Sequence, residues 1–263
     1  MDYFEKLESN PYEDLKWNIP EKKQGSVNII GGNVGHFRTE IKTAEFIAGN
    51  FPVEDVRLIL PDALKGKIPE MPNFLFLPSV ESGGFSESQE LIDCFNRSDF
   101  NLVLGDLSRN SVTGKAVQSA VKSSERMTLI TRDAVDLLTE NAPDRWLMNE
   151  NIRVVASMAQ LIKLLRAVYY PKMILMSSSL VQVADVLHKF TLSYPVGIVT
   201  LHNGQVLVAE NGTVKAVGLA QTGHSALSFW NGEVAGEIVG MNLYNPSRFV
   251  EASMGAIIDT TKS

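Results

Sequence analysis

Short continuous apolar runs alternate along this chain with segments whose apolar residues recur at helical spacing. The run 27–31 ends at a glycine pair, and Ile41, Ala44 and Ala48 then share one face of a predicted helix. Apolar runs of roughly four to eight residues without polar alternation are typical of strands buried on both faces. The pattern predicts parallel strands near 27–31, 56–60, 102–105, 127–131, 152–155 and 198–202, with further apolar runs at 74–78 and 172–176.

Helical spacing between these runs completes a series of βαβ units. It recurs in the segments 112–120, 134–138, 158–167 and 180–187. Parallel strands need crossover connections, usually helices, so the sheet should be covered on both faces. We therefore predict an α/β protein, a three-layer α/β/α sandwich with a mostly parallel central sheet. A single domain, residues 25–263, would follow an N-terminal arm, residues 1–24.

The last third of the chain has a different pattern, three short β-rich runs joined by two Asn-Gly pairs. Asn203-Gly204 and Asn211-Gly212 favour tight hairpin turns, because both central positions of such turns need a positive φ. The runs predict an antiparallel β-meander at one edge of the sheet. A helix near 232–242, led by a glycine, and a final helix near 246–259 follow it.

Ligands of open α/β sheets bind in the crevice at the carboxyl ends of the strands. The loops expected at that edge of the sheet are 31–39, 105–111, 131–133, 156–160 and 218–233.

Composition limits the classes of partner. Of 263 residues, 44% are apolar and 21% charged, as in a globular protein with a large core. The net charge of −6 argues against a nucleic acid, because phosphate binding needs a basic surface. No apolar run reaches the roughly 20 residues of a membrane helix, and the charged N-terminus lacks a signal-peptide core. Cys94 is the single cysteine, which fits a reducing cytoplasm. We also expect a homo-oligomer, no protein-bound metal site and no membrane partner.

Several segments carry a family resemblance through their order and spacing. They are Val27-Asn-Ile-Ile-Gly-Gly-Asn-Val-Gly, Leu60-Pro61, Pro69-Glu70-Met71 and Leu102-Val-Leu-Gly-Asp. In these segments the chain resembles the ADP/ATP-dependent NAD(P)H-hydrate dehydratases, members of the ribokinase-like superfamily that repair hydrated nicotinamide cofactors. The resemblance implies a ribokinase-like fold, ATP or ADP as cofactor with or without Mg²⁺, and an NAD(P)H hydrate as substrate.

The family's catalytic aspartate follows a glycine turn, and two alignments place different residues there. One aligns the family's Gly-Thr-Gly-Asp with Trp230-Asn-Gly-Glu and puts Glu233 in the aspartate's position; the other uses Thr222-Gly-His-Ser and puts His224 there. A glycine turn at a helix N-terminus offers free N–H groups to an anion, and either side chain can act as a base. The alternatives are that Glu233 only complements the helix dipole and that His224 is a loop residue without a role.

The resemblance implies further site residues, at some of which the chain departs from the family pattern. For the nucleotide they are His202, in place of a lysine, with Asn203, Gly204, Asn231 and Gly232. For the substrate they are Gly32, Asn33, Thr39, Gly105, Asp106, Asp133 and Ser157, the last in place of a histidine.

The departures fall in the site, whereas the framework strands are better preserved. One hypothesis is an NAD(P)H-hydrate dehydratase-like protein whose activity is reduced or lost. A second is a non-catalytic nucleotide-binding or structural homologue, and a third is a small-molecule kinase of the same superfamily. An open cleft leading to Glu233 would favour chemistry, and filling by Phe229 and Trp230 would favour the non-catalytic hypothesis.

Overall fold

The computed structural model describes residues 2–69, 71–141 and 143–258. Glu70 of the Pro69-Glu70-Met71 segment and Asp259 of the last predicted helix lie outside the described residues.

One sheet runs through the described part of the chain and contains ten strands. They are Phe4–Leu7 (β1), Ser26–Gly31 (β2), Asp55–Pro61 (β3), Phe74–Leu77 (β4), Phe100–Gly105 (β5), Met127–Thr131 (β6), Ile152–Ser157 (β7), Gly197–His202 (β8), Gln205–Glu210 (β9) and Thr213–Gly218 (β10). Their order is β1-β10-β9-β8-β7-β6-β5-β2-β3-β4. Strand β9 is antiparallel to both of its neighbours, and the other neighbouring pairs are parallel.

Helices cover both faces of this sheet. They are Arg38–Asn50 (α1), Gln89–Arg97 (α2), Ser111–Ser123 (α3), Asp133–Thr139 (α4), Pro143–Leu147 (α5), Met158–Ala167 (α6), Leu180–Ser193 (α7), Glu233–Leu243 (α8) and Phe249–Ile258 (α9). Helices α2 to α7 contribute to one apolar core, and α1, α8 and α9 contribute to a second core on the opposite face. The predicted three-layer architecture with a meander is confirmed.

Part of the predicted N-terminal arm belongs to the sheet. Strand β1 pairs in parallel with β10, from Phe4 opposite Val214 to Leu7 opposite Val217. Leu15, in a 3-10 helix at Glu13–Asn18, is buried in the core that contains α8 and α9. These four residues, of which Glu5 and Lys6 are exposed, gave no strand pattern in the sequence, because an edge strand is polar on its open side. The division of the chain at residues 24 and 25 stays a prediction.

The apolar run 172–176 is not a strand. Residues Arg153 to Ser157 of β7 pair directly with Gly197 to Leu201 of β8, so no place remains between them in the sheet. Only Ile174 of the run is buried, and its neighbours Met173, Leu175 and Met176 are exposed. The segment carries the chain from α6 to α7 without joining the sheet.

Helices α1 and α8 pack closely because two glycines of α8 face aromatic rings. A Cβ atom at Gly236 would lie 3.0 Å from the Phe46 ring, and one at Gly240 would lie 2.3 Å from the Phe51 ring. Phe51 directly follows α1 and is buried. The close contact fixes α8, and with it the residues at its N-terminus, relative to α1.

We predict that Gly240→Ala destabilises the protein although alanine favours helix formation. Overpacking against the buried Phe51 ring should lower the free energy of unfolding by about 1–3 kcal/mol. Gly49→Ala in α1 is the matched control, because a Cβ atom there meets no atom within 4 Å. It should raise the free energy of unfolding by about 0.5–1 kcal/mol. Urea denaturation of both variants checks this, and equal effects would contradict the packing described.

Candidate functional site

Six strands that run in the same direction have their carboxyl ends on one rim of the sheet. They are β2, β5, β6, β7, β8 and β10. Two backbone hydrogen bonds join loops at this rim. The Gly32 N–H donates to the Gly105 carbonyl at 3.0 Å, and the Leu219 N–H donates to the Gly204 carbonyl at 2.8 Å. The loops after β2 and β5 therefore meet, as do those after β8 and β10.

An ion pair links the loops after β5 and β6. The Arg132 guanidinium donates to both carboxylate oxygens of Asp106, at 3.0 and 3.1 Å, and both side chains are largely buried. The Asp106 N–H donates to Asp133 Oδ1 at 2.7 Å. Burial raises the pKa of the Asp133 carboxyl, whereas this hydrogen bond lowers it. Bidentate pairs of this kind have fixed geometry, so the pair holds the two loops in one arrangement.

Arg132 has an unusual backbone conformation, with φ 55° and ψ −139°. This region is disfavoured for residues other than glycine and costs on the order of 1–3 kcal/mol. The Gln160 side chain stabilises it by donating to the Arg132 carbonyl at 2.7 Å. Such strain is concentrated at functional sites in proteins, which makes this rim a candidate site on structural grounds. The sequence analysis did not include Arg132 among the site residues.

A cleft of about 580 Å³ opens beside the ion pair. It is lined by Asn33, His36, Ser82, Asp106, Leu107, Ser108, Arg109, Arg132 and Asp133. Three of the predicted substrate residues, Asn33, Asp106 and Asp133, therefore lie together. A second cleft of about 450 Å³ shares Arg109 and Asp133 with the first. Cleft volumes of a few hundred Å³ are typical of small-molecule sites.

Glu40, which the sequence analysis missed, is fully buried beneath this rim. A Cβ atom at Gly31 would lie 2.8 Å from Glu40 Oε1 and 2.4 Å from the Gly105 carbonyl oxygen, so the carboxyl lies where β2 and β5 end. Neither of its oxygens has a partner with normal hydrogen-bond geometry. Burial, and next the Asp106 carboxylate, raise the pKa of Glu40 to about 8. The signal in the sequence was a glutamate on the helix face that also carries Ala44 and Ile47.

A second group of predicted residues meets at the N-terminus of α8. Gly232 has φ 89°, and a Cβ atom there would lie 2.6 Å from Thr43 Oγ1 and 3.4 Å from Thr39 Cγ2. The Asn231 side chain accepts the Glu233 N–H at 3.0 Å. The Glu233 carboxylate is 43% exposed, so it can be reached from solvent. Thr39, predicted as a substrate residue, thus lies beside the glycine turn rather than in the larger cleft.

His224 lies next to Glu233, so the two sequence alignments identify the same place. Its Nδ1 is 3.9 Å from Glu233 Oε1, and its Nε2 is 2.8 Å from Glu237 Oε2. The His224 side chain is only 4% exposed. Of the two candidate bases, Glu233 is therefore the one that a ligand can contact directly.

The predicted nucleotide residues of the meander form a tight turn. Asn203 and Gly204 have φ values of 48° and 71°, as an Asn-Gly hairpin requires. A Cβ atom at Gly204 meets nothing within 4 Å, which leaves its backbone open to a ligand. The His202 ring is buried, and its Nε2 donates to the Ser178 carbonyl at 2.7 Å. His202 thereby holds the segment before α7, and its contact with a nucleotide stays a prediction.

Two other predicted residues have structural partners. The Ser157 hydroxyl accepts the Gln160 N–H at 3.1 Å and caps α6. Gly105 has φ 118°, and a Cβ atom there would lie 2.3 Å from Asp133 Oδ1, so only glycine fits. Phe229 is fully buried, and Trp230 packs partly buried against the same core. These two aromatic residues form the inner side of the segment before α8.

Solved structures with the same arrangement of elements exist at low sequence identity. A ribokinase-like superfamily protein from Enterococcus faecalis matches with a TM-score of 0.67 at 14% identity, over 98% of this chain and 86% of that one. The fold is ribokinase-like. A hypothetical protein from Streptococcus mutans matches with a TM-score of 0.64 at 16% identity, over 93% of this chain and 86% of that one.

The ribokinase-like fold is also found in kinases of known substrate. The ADP complex of Bacillus subtilis pyridoxal kinase matches with a TM-score of 0.52 at 9% identity, over 89% of each chain. No protein-family model and no curated protein sequence matches the chain. Similarity at this level of identity concerns the fold. Within the described ranges, no helix has the length and apolar character of a membrane-spanning segment.

We predict that Glu40 makes the stability of this ribokinase-like domain depend on pH. Its ordinary pKa is 4.5 and its folded pKa about 8, so the unfolded state loses the proton first as pH rises. The free energy of unfolding should fall between those pH values, and Glu40→Gln should abolish that fall. The variant's gain over the parent should be larger at pH 8 than at pH 5, on the order of 2–3 kcal/mol.

Urea denaturation at the two pH values measures this gain. Glu45→Gln, on the exposed side of α1, is the matched control and should show no such gain. An equal gain for Glu40→Gln at both pH values would show that the Glu40 carboxyl is not held neutral.

Proposed function

We propose that this protein is a nucleotide-binding relative of the NAD(P)H-hydrate dehydratases whose dehydration rate is at least about 100-fold below that of an intact member. The ribokinase-like fold and the meeting of the candidate residues at one rim support the first part of the proposal. The detailed contacts at the N-terminus of α8 support the second.

Nucleotide binding is proposed at the turn of the meander and the segment before α8. A Cβ atom added at Gly204 or at Gly223 would meet no atom within 4 Å, so the backbone is open at both positions. The Leu219–Gly204 hydrogen bond holds these two segments together. The N-terminus of α8, an 11-residue helix, contributes the positive end of its dipole, which favours a phosphate group.

Bound ATP or ADP would supply a phosphoryl group to the hydrate's hydroxyl, leaving ADP or AMP. Loss of that phosphate together with a proton from the adjacent ring carbon would then restore the double bond of NAD(P)H. Glu233 is the group that would take the hydroxyl proton, since its carboxylate is exposed beside the glycine turn. Asp106, Asp133 and Asn33 would contact the hydrated ring in the neighbouring cleft. The proposal includes ATP or ADP as the phosphoryl donor, with or without Mg²⁺.

One observation carries the reduced rate: the Asn231 side chain accepts the Glu233 N–H at 3.0 Å. This N–H is one of the donors that a helix N-terminus offers to a phosphate. A ligand anion must therefore compete with Asn231 for it. Glutamate is also one methylene longer than the aspartate it replaces, and a displacement of about 1 Å can reduce a rate on the order of 100-fold.

We predict that ADP and ATP raise the melting temperature and that Gly223→Leu abolishes the rise. A ligand at about 100 times its Kd adds about 2.7 kcal/mol to the free energy of unfolding. A leucine at Gly223 projects into open space, so it should block the ligand without unfolding the protein. Gly49→Leu, at an equally open glycine in α1, should keep the response. NADH and NADPH are measured in parallel.

Absence of a shift with all four compounds would refute nucleotide binding. A shift that survives Gly223→Leu would show that the nucleotide binds elsewhere.

We predict that regeneration of NADH from its hydrate with ATP is absent or at least about 100-fold slower than in an intact family member. Absorbance of NADH follows the reaction, with Glu233→Gln as the matched variant. Residual turnover should be abolished by that substitution, because no other exposed candidate base lies at the turn.

Fast turnover that depends on Glu233 would contradict the proposed loss of rate. Turnover that is insensitive to the substitution would contradict the role of Glu233. ATP consumption without NADH regeneration would favour the small-molecule kinase hypothesis.

A further inference from the structure

Glu237 is a buried carboxylate that the sequence analysis did not include in the site. It lies one turn after Glu233 in α8, and residues four apart project from the same face of a helix. The His224 ring lies against that face. Its Nε2 is 2.8 Å from Glu237 Oε2, and its Nδ1 is 3.9 Å from Glu233 Oε1.

The three side chains differ strongly in exposure. His224 is 4% exposed and Glu237 is 7% exposed, whereas Glu233 is 43% exposed. Burying an ionisable pair is costly, and apolar side chains of similar volume often stabilise a protein as well or better. Packing alone thus gives no reason for an imidazole and a carboxylate here. A carboxylate that orients a functional histidine, in contrast, is a recurring arrangement.

The contact fixes one nitrogen of the ring. Nε2 lies within ion-pair distance of Glu237 Oε2, at 2.8 Å. The ring is thereby oriented with Nδ1 towards Glu233. Glu237 therefore acts on the exposed carboxylate through the ring, without touching a ligand itself.

The contact also connects the segment 222–232 to the helix that follows it. Hydrogen bonds within the segment are local: Thr222 Oγ1 accepts the His224 N–H at 3.3 Å, and the Leu227 carbonyl accepts the Asn231 N–H at 3.0 Å. The contact between His224 and Glu237 reaches instead from the start of the segment to the second turn of α8.

We propose that Glu237 is a positioning residue: it fixes the His224 ring, and through the ring it holds the segment 222–232 and the Glu233 carboxylate at the N-terminus of α8. The role in ligand binding rests on the proposed function, because this segment is where the nucleotide phosphate is proposed to bind. The role of Glu237 in holding the His224 ring and the segment 222–232 does not rest on the proposed function.

Glu237→Gln tests the proposal, because it keeps the shape of the side chain and removes its charge. Glu251→Gln in α9 is the matched control, which removes the same charge from a half-buried position of the neighbouring helix. Three quantities are measured on the full chain: the ¹⁵N resonance of His224 Nε2, amide hydrogen exchange in residues 222–232, and ADP affinity by calorimetry. Glu237→Asp, which keeps the charge, replaces the glutamine variant if that variant does not fold.

We expect Glu237→Gln to shift the Nε2 resonance, to accelerate exchange in 222–232, and to weaken ADP binding about tenfold or more. The control should leave all three unchanged. An unchanged Nε2 resonance or unchanged exchange overturns the proposal. If the resonance and the exchange change but ADP affinity does not, the positioning role in binding is overturned.

A parent protein that does not bind ADP refutes the proposed function and not this inference. In that case the resonance and the exchange rates decide whether Glu237 holds the segment, with acceleration supporting it and no change overturning it.

Discussion

The close approach of β2 and β5 at their carboxyl ends is the constraint on which the rim depends. Gly31 has no room for a side chain, because the Gly105 carbonyl and the Glu40 carboxyl lie within 3 Å of the position that a Cβ atom would take. Gly105 is restricted in the same way by Asp133. The two glycines let both loops cross the rim in contact with each other. Asn33 then donates to the Asp106 carbonyl at 2.6 Å, which continues the contact outwards.

This close packing has an electrostatic consequence. The carboxyl groups of Glu40, Asp106 and Asp133 lie close enough to influence one another, and the Arg132 guanidinium pairs with Asp106. Burial, and next the Asp106 carboxylate, raise the pKa of Glu40, so this most buried of the three carboxyls is the one held neutral. The residue with the strained backbone, Arg132, is also the one whose guanidinium pairs with Asp106. The close packing, the strained backbone of Arg132 and the protonation of Glu40 thus occur together at this rim.

The sequence predicted the elements whose burial gives a clear periodic pattern. Continuous apolar strands such as Leu102 to Leu104 were identified because both faces of the sheet are covered. Strand β1 was not, because an edge strand of four residues has little buried surface to impose a pattern. The run 172–176 was misinterpreted, since an apolar composition does not say whether the sheet has a place for it. Glu40 was missed because a carboxyl that is kept neutral resembles, in sequence, any charged residue of a helix.

The position aligned with the family's aspartate also shows what the sequence alone could not predict. Aligning either Glu233 or His224 with the family's aspartate treated the two residues as exclusive, because an alignment assigns one residue to one position. In the structure they are neighbours, 3.9 Å apart, and Glu237 contacts His224 from the next turn of α8. Where the resemblance would put a short acid, the chain has the longer Glu233, with the buried imidazole of His224 beside it. Whether Glu233 or His224 can act as a base therefore depends on the exposure of each group. That exposure depends on how the segment 222–232 packs onto α8 and not on the identity of any single residue.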